Sequence, residues 1–114
     1  MKKIEILVFG KHSEILNTVL RLINANHNWQ AEGTTEAEKV IEKCHINTYD
    51  ILLLGGGIPP KEENKIRAIL RKLLPELKII QHFGGGSGLL SNEIQAALSN
   101  NQATNFNVVD NPFE

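Results

Sequence analysis

The residues that could do chemistry stand directly after short apolar runs of the sequence. Gly10-Lys11-His12-Ser13, Gly55-Gly56-Gly57 and the glycine-rich segment 84–88 each follow such a run. A lysine near the start of a helix attracts anions, and consecutive glycine N–H groups can hold a phosphate. The pattern therefore predicts a candidate anion site, formed by Lys11, Ser13, Gly85, Gly86 and Ser87.

The alternative interpretation is that these segments are ordinary turns. A complete phosphate-loop motif would need a glycine five residues before Gly10, where Glu5 stands. A dinucleotide-binding fingerprint that starts at Gly84 would need its third glycine at the position of Leu89. Because both motifs are incomplete, turns remain the simpler interpretation.

Two histidines, His12 and His82, also follow predicted strands, and Asp110 follows the last one. Together they could bind Zn²⁺ or act as acid and base. No motif places a further carboxylate beside them, so we expect no metal, no cofactor and no enzymatic activity. The one cysteine, Cys44, excludes an intrachain disulfide and is expected in the core.

The elements that position these residues alternate along the chain in the pattern βαβαβαβαβ. Ser13 is predicted to cap the first helix, and Thr35 with Glu38 to form a capping box on the second. This alternation predicts a parallel sheet with helices on both faces, where ligands bind at the carboxyl ends of the strands. The predicted strands are 4–9, 29–32 at a sheet edge, 51–54, 77–83 and 106–109.

The composition fits one globular domain over residues 1–114. The chain is 41% hydrophobic and 22% charged, with a formal net charge of −1. This balance predicts neither a nucleic-acid partner nor a membrane partner, and we expect a cytoplasmic location. The most basic helix, after Pro59-Pro60, is expected to present a solvated face or to contact an acidic partner.

The five-strand layout resembles the receiver domain of two-component response regulators, a flavodoxin-like three-layer sandwich with strand order 2-1-3-4-5. The run from Tyr49 to Pro59 is similar to the third receiver strand and its following loop, and 12–16 to the start of the first receiver helix. Asp110-Asn111-Pro112-Phe113 is similar to the lysine-proline-phenylalanine segment after the fifth strand. The resemblance covers nearly the whole chain.

The same resemblance implies that the phosphorylation chemistry of the family is lost. Gly55 stands where the phosphoacceptor aspartate is expected, and Gly10 and Lys11 stand where acidic residues would hold Mg²⁺. Phe83, or His82 if the alignment moves by one residue, replaces the hydroxyl residue of the fourth strand, and Asn111 replaces the lysine. We therefore expect no receiver-type phosphoryl transfer.

A receiver also carries a fifth helix over strands one, three and five, and only Pro112-Phe113-Glu114 remain here. An uncovered apolar sheet face would be unstable in water, so we expect a homodimer or another protein partner to cover it. The resemblance thus implies a non-phosphorylatable signalling or scaffolding domain that acts through protein contacts. The alternative is a sensor that binds a small molecule or an anion at the strand ends.

Overall fold

The computed structural model describes residues 3–82 and 87–103, with backbone only at 87–89 and 100–103. In this part of the chain strands and helices alternate without exception, as predicted. The elements are β1 Ile4–Phe9, α1 Ser13–Asn24, β2 Trp29–Thr34, α2 Ala37–Ile46, β3 Ile51–Leu54, α3 Pro60–Leu73, β4 Lys78–Gln81 and α4 Ser87–Ala103.

The described strands form one parallel sheet in the order β2-β1-β3-β4. This confirms the predicted parallel topology for the four described strands, with β2 at an edge. All four residues of β3 are buried, as the continuous apolar run Ile51–Leu54 predicts for a central parallel strand. The predicted fifth strand, 106–109, lies outside the described residues.

Successive residues of the central strands point to opposite faces of the sheet and build two apolar cores. In β1, Ile6 and Val8 face α1, while Leu7 and Phe9 face α2 and α3. The first core contains Ile6, Val8, Leu16, Val19, Ile23, Trp29, Ile51, Leu53, Leu90, Ile94 and Ala97. The second contains Leu7, Phe9, Val40, Cys44, Tyr49, Leu52, Leu54, Ile66 and Leu70.

Helix α4 packs on the same face of the sheet as α1. Its Leu90, Ile94 and Ala97 are buried in the first core, against residues of β1 and β3. The expectation that this face lacks a covering helix is therefore wrong. An amphipathic stripe shows that a helix is half buried, but it does not show which face of the sheet the helix covers. Because α4 covers this face, a homodimer is not needed to cover it.

The starts of the first two helices differ from the sequence prediction by one residue. His12, in extended conformation, is the N-cap of α1, and Ser13 is already its first helical residue. Glu36 is the N-cap of α2, and Thr34 Oγ1 accepts a hydrogen bond from the Glu36 N–H at 3.1 Å. Neither cap residue makes a side-chain capping hydrogen bond, so the predicted Thr35–Glu38 capping box is absent.

Cys44 is buried in the second core, as predicted, and its burial raises the pKa of the thiol to about 11. A thiol with so high a pKa stays protonated at neutral pH and is a poor nucleophile. Among the described residues, no helix is long and apolar enough to cross a membrane.

Candidate functional site

The carboxyl ends of β1 and β3 lie side by side and bring Gly10 and Gly55 together. The Gly55 N–H donates to the Phe9 carbonyl at 2.7 Å, and the Gly10 N–H donates to the Thr34 carbonyl at 3.3 Å. A Cβ atom added to Gly55 would lie 3.6 Å from the Gly10 Cα and 3.4 Å from the Phe9 carbonyl oxygen. The site therefore has room for the first atom of a side chain at position 55, but glycine supplies none.

Lys11 follows Gly10 but turns its side chain toward the face that carries α2 and α3. Its Nζ lies 2.7 Å from Glu62 Oε1 on α3, and 5.4 Å from the centre of the Phe9 ring. The Glu62 oxygen is buried, and its geometry toward Lys11 is that of an ion pair without a well-aligned hydrogen bond. Because Glu62 already neutralises the ammonium group, Lys11 has little charge left to attract an anion.

Of the remaining members of the predicted anion site, the structure describes the side chain of Ser13 only. Ser13 is exposed at the start of α1. Gly85, Gly86 and the side chain of Ser87 lie outside the described residues, so the anion site stays a prediction. Phe83 and Asn111 lie outside them as well.

His82 lies directly after β4 and is 9% exposed. Its backbone N–H donates to the Leu54 carbonyl at 2.9 Å. Leu54 is the register partner of Gln81, so the next residues of the two strands, Gly55 and His82, lie side by side. The ring Nδ1 lies 2.5 Å from Glu93 Oε1 on α4. This contact joins α4 to the end of β4 and gives the buried imidazole a polar partner.

Glu93 is the residue of this site that the sequence analysis missed. It stands eleven positions after His82, on the next helix, and belongs to no motif. The one available signal is its place beside Ile94, which belongs to the predicted apolar stripe of that helix.

His12 and His82 line the same cavity, which opens at the strand ends between α1 and α4 and has a volume of about 610 Å³. The His12 ring packs on Gly57, whose φ is +82° and whose added Cβ would lie 2.8 Å from His12 Nε2. In the described ranges no three His, Cys, Asp or Glu side chains cluster as a metal site would require. Asp110, the third predicted ligand, lies outside those ranges.

The cavity walls are mainly apolar. Aliphatic side chains of β1, β3, α1 and α4 form most of the surface, and five polar side chains complete it. The apolar residues are Val8, Ile15, Leu16, Val19, Leu22, Leu53 and Leu90, and the polar ones are His12, Glu14, Thr18, Gln81 and His82.

A second polar cluster joins β2, α2 and Tyr49, which lies two residues before β3. The Tyr49 hydroxyl donates to Glu32 Oε2 at 2.5 Å, and Lys43 Nζ lies 3.1 Å from Glu32 Oε1. The Tyr49 hydrogen bond, helped by Lys43, lowers the pKa of Glu32. Burial, together with Glu32, raises the pKa of Tyr49. The cluster keeps a carboxylate and a neutral phenol paired at neutral pH, which suits a structural brace.

The fold is that of solved receiver domains. A CheY-like response regulator receiver domain from Methanospirillum hungatei superposes with a TM-score of 0.75 at 13% identity, covering 91% of this chain and 99% of that chain. The signal receiver domain of an HD domain-containing protein from Pseudomonas fluorescens gives 0.73 at 12% identity, covering 90% and 99%. The chain therefore has the receiver fold.

A pilus assembly protein from Burkholderia thailandensis is also similar, with a TM-score of 0.59 and 23% identity over 82% of this chain and 80% of that chain. No family model matches the sequence, and no curated protein matches it.

Proposed function

We propose that this chain is a receiver-like signalling or scaffolding domain that acts through protein contacts and is not switched by phosphorylation of an aspartate. The observation that carries the proposal is the pair of glycines at the carboxyl ends of β1 and β3. Gly10 and Gly55 meet where the resemblance to receivers places the Mg²⁺ ligands and the phosphoacceptor.

The chemistry of acyl phosphate formation supports this proposal. The reaction needs a carboxylate nucleophile, and Mg²⁺ needs oxygen ligands. Glu62 is paired with Lys11, and Glu93 contacts His82, so neither of these carboxylates near the strand ends is free to act.

The aspartates of the chain offer no substitute in the described part of the site. The sequence has two, Asp50 and Asp110. Asp50 precedes β3, and its Oδ2 accepts a hydrogen bond from the Glu5 N–H at 2.8 Å. Asp50 therefore lies at the amino ends of the strands, whereas Gly55 lies at their carboxyl ends.

Incubation with acetyl phosphate and Mg²⁺ is expected to leave the intact mass of the protein unchanged. A receiver domain with a complete acidic pocket, treated in parallel, should gain one phosphoryl group. The variants Asp50→Asn and Asp110→Asn serve as a matched pair, since each removes one of the two aspartates. A hydroxylamine-sensitive phosphoryl adduct on the wild type that Asp110→Asn abolishes would overturn the proposal.

The second candidate function is a small-molecule sensor, and the cavity between α1 and α4 favours it. Because the walls are mainly apolar and Lys11 is paired with Glu62, the geometry suits an apolar ligand with a polar end better than an anion. Indole and inorganic phosphate are suitable probes of these two ligand classes.

If the cavity binds ligands, indole should raise the melting temperature and phosphate should not. A ligand at 100 times its Kd stabilises a fold by about 2.7 kcal/mol. The variant Ile15→Trp, which enlarges an exposed residue of the cavity wall, should abolish the indole shift. If neither probe shifts the melting temperature, the result favours the domain that acts through protein contacts over the sensor.

A further inference from the structure

A groove of about 780 Å³ separates the amino-terminal halves of α2 and α3. We call it the α2–α3 groove. Its α2 side carries Glu36 and Glu38, and its α3 side carries Lys61 and Lys65. The lining between these two charged rims includes Ala37, Ile41, Ile66 and Ile69. The groove thus has one acidic rim, one basic rim and apolar side chains between them, and its lining also includes the ion pair of Lys11 and Glu62.

The basic rim is not explained by the stability of α3. Lys61 and Lys65 are four residues apart, a spacing at which like charges repel on a helix. Lys61 also lies in the first turn of α3, where the helix dipole disfavours cations. The acidic residues of α3 do not compensate them, because Glu62 pairs with Lys11 at 2.7 Å and Glu63 pairs with Arg67 at 2.8 Å.

The other ends of the same two helices are apolar and exposed. Ile46 at the end of α2 is 72% exposed, Leu73 at the end of α3 is 53% exposed, and Leu74 is 36% exposed. A smaller cavity of about 250 Å³ lies at this end beside Leu73 and Leu74, and Ile41 lines both this cavity and the α2–α3 groove. Large apolar side chains exposed together mark a contact surface more often than a solvated one.

Helices α2 and α3 run in the same direction, because each connects the carboxyl end of one parallel strand to the amino end of the next. The surface formed by α2 and α3 therefore has opposite charges on the two helices at their amino ends. At their carboxyl ends, both helices expose apolar residues. A two-fold rotation about an axis parallel to the helices would set the α2 of one copy over the α3 of the other and keep equal ends level.

We propose that the α2–α3 groove is the interface of a homodimer related by this axis. In it Glu36 and Glu38 face the partner's Lys61 and the partner's Lys65, while the apolar ends of the two copies meet. The inference deepens the proposed function, on which it rests, by naming a second copy of this chain as the partner.

The charges of the two rims favour a second copy of this chain over other occupants of the groove. A nucleic acid or a uniformly acidic peptide would be attracted by Lys61 and Lys65 but repelled by Glu36 and Glu38. A second copy in the two-fold arrangement satisfies both rims at once. Lys39 on α2 does not disturb this pattern, because Glu42 lies 3.4 Å away and compensates its charge.

The test uses two charge-reversed variants of the full chain. One carries Lys61→Glu with Lys65→Glu, and the other carries Glu36→Lys with Glu38→Lys. Sedimentation equilibrium should show a wild-type dimer that weakens as salt screens the rims. Each variant alone should dissociate with a Kd roughly ten-fold or more higher, because like charges then face each other. An equimolar mixture of the two should regain the dimer, because every opposed pair is again of opposite sign.

The control variant carries Lys3→Glu with Arg21→Glu, which lowers the net charge by as much as the variant with Lys61→Glu and Lys65→Glu, at exposed positions outside the groove. It should dimerise like the wild type, and circular dichroism should show that all variants fold. A wild type that stays monomeric at all concentrations would overturn the inference, as would single variants that remain dimers or a mixture that stays monomeric. The experiment uses no phosphoryl donor, so the interface can fail while the absence of phosphorylation stands, and the reverse.

Discussion

Ile94→Ala is expected to lower the free energy of unfolding by about 2–5 kcal/mol. Ile94 is 0% exposed and packs, through α4, against the face of the sheet that also carries α1. Truncation removes buried methyl groups and leaves a cavity that the rigid strands β1 and β3 cannot close. Since a domain of this size is stable by only about 5–15 kcal/mol, this single change would remove a large part of its stability.

Urea unfolding followed by circular dichroism measures this effect at low protein concentration, and Ile15→Ala is the matched control. Ile15 is 57% exposed on α1, so its truncation should change stability by about 0.5 kcal/mol or less. If Ile94→Ala prevents folding, Ile94→Val should still cost about 0.5–1.5 kcal/mol. A loss for Ile94→Ala no larger than for Ile15→Ala would contradict the packing of α4 on this face.

Gly33→Val is expected to destabilise the fold by about 1–3 kcal/mol. Gly33 lies in β2 under α1, where an added Cβ would sit 2.8 Å from Leu16 Cδ1 and 3.0 Å from the Val8 carbonyl oxygen. A leucine side chain can rotate away, but the carbonyl belongs to the backbone of β1 and is held by the sheet. The two further methyl groups of valine would push α1 away from β2.

Gly56→Val provides the comparison, because no atom outside residues 55–57 lies within 4 Å of a Cβ added at that position. Its melting temperature should stay close to that of the wild type, and Gly33→Ala should fall between the two variants. Equal melting temperatures for Gly33→Val and Gly56→Val would mean that α1 does not approach β2 as closely as described.

The described strands and helices could be predicted from the sequence because their signals are local. The apolar run at 51–54 becomes the buried strand β3, and Pro60 opens α3. Strand order followed from the resemblance to receivers, and solved receiver domains share the fold at 12–13% identity. Gly10 and Gly55 could be matched as neighbours because the carboxyl ends of adjacent parallel strands meet at one edge.

Contacts between distant segments could not be predicted in this way. The sequence predicts Lys11 as an anion ligand, yet Glu62, 51 positions later, pairs with it and holds its side chain on the face of the sheet that carries α2 and α3. His82 appeared as a metal ligand, yet its partner is Glu93 on the following helix. Such pairs depend on how two helices are rotated and placed on the sheet, and no spacing along the chain encodes that placement.

By itself, the sequence determined the alternating elements, the parallel sheet and the glycines that follow its first and third strands. These features depend on hydrophobic period, turn residues and side-chain chemistry, which are properties of neighbouring positions. The tertiary structure alone decided that α4 covers the α1 face and that the α2–α3 groove has opposite charges on its rims. Both results come from the position and rotation of the helices on the sheet, which are set by packing between residues far apart in the chain.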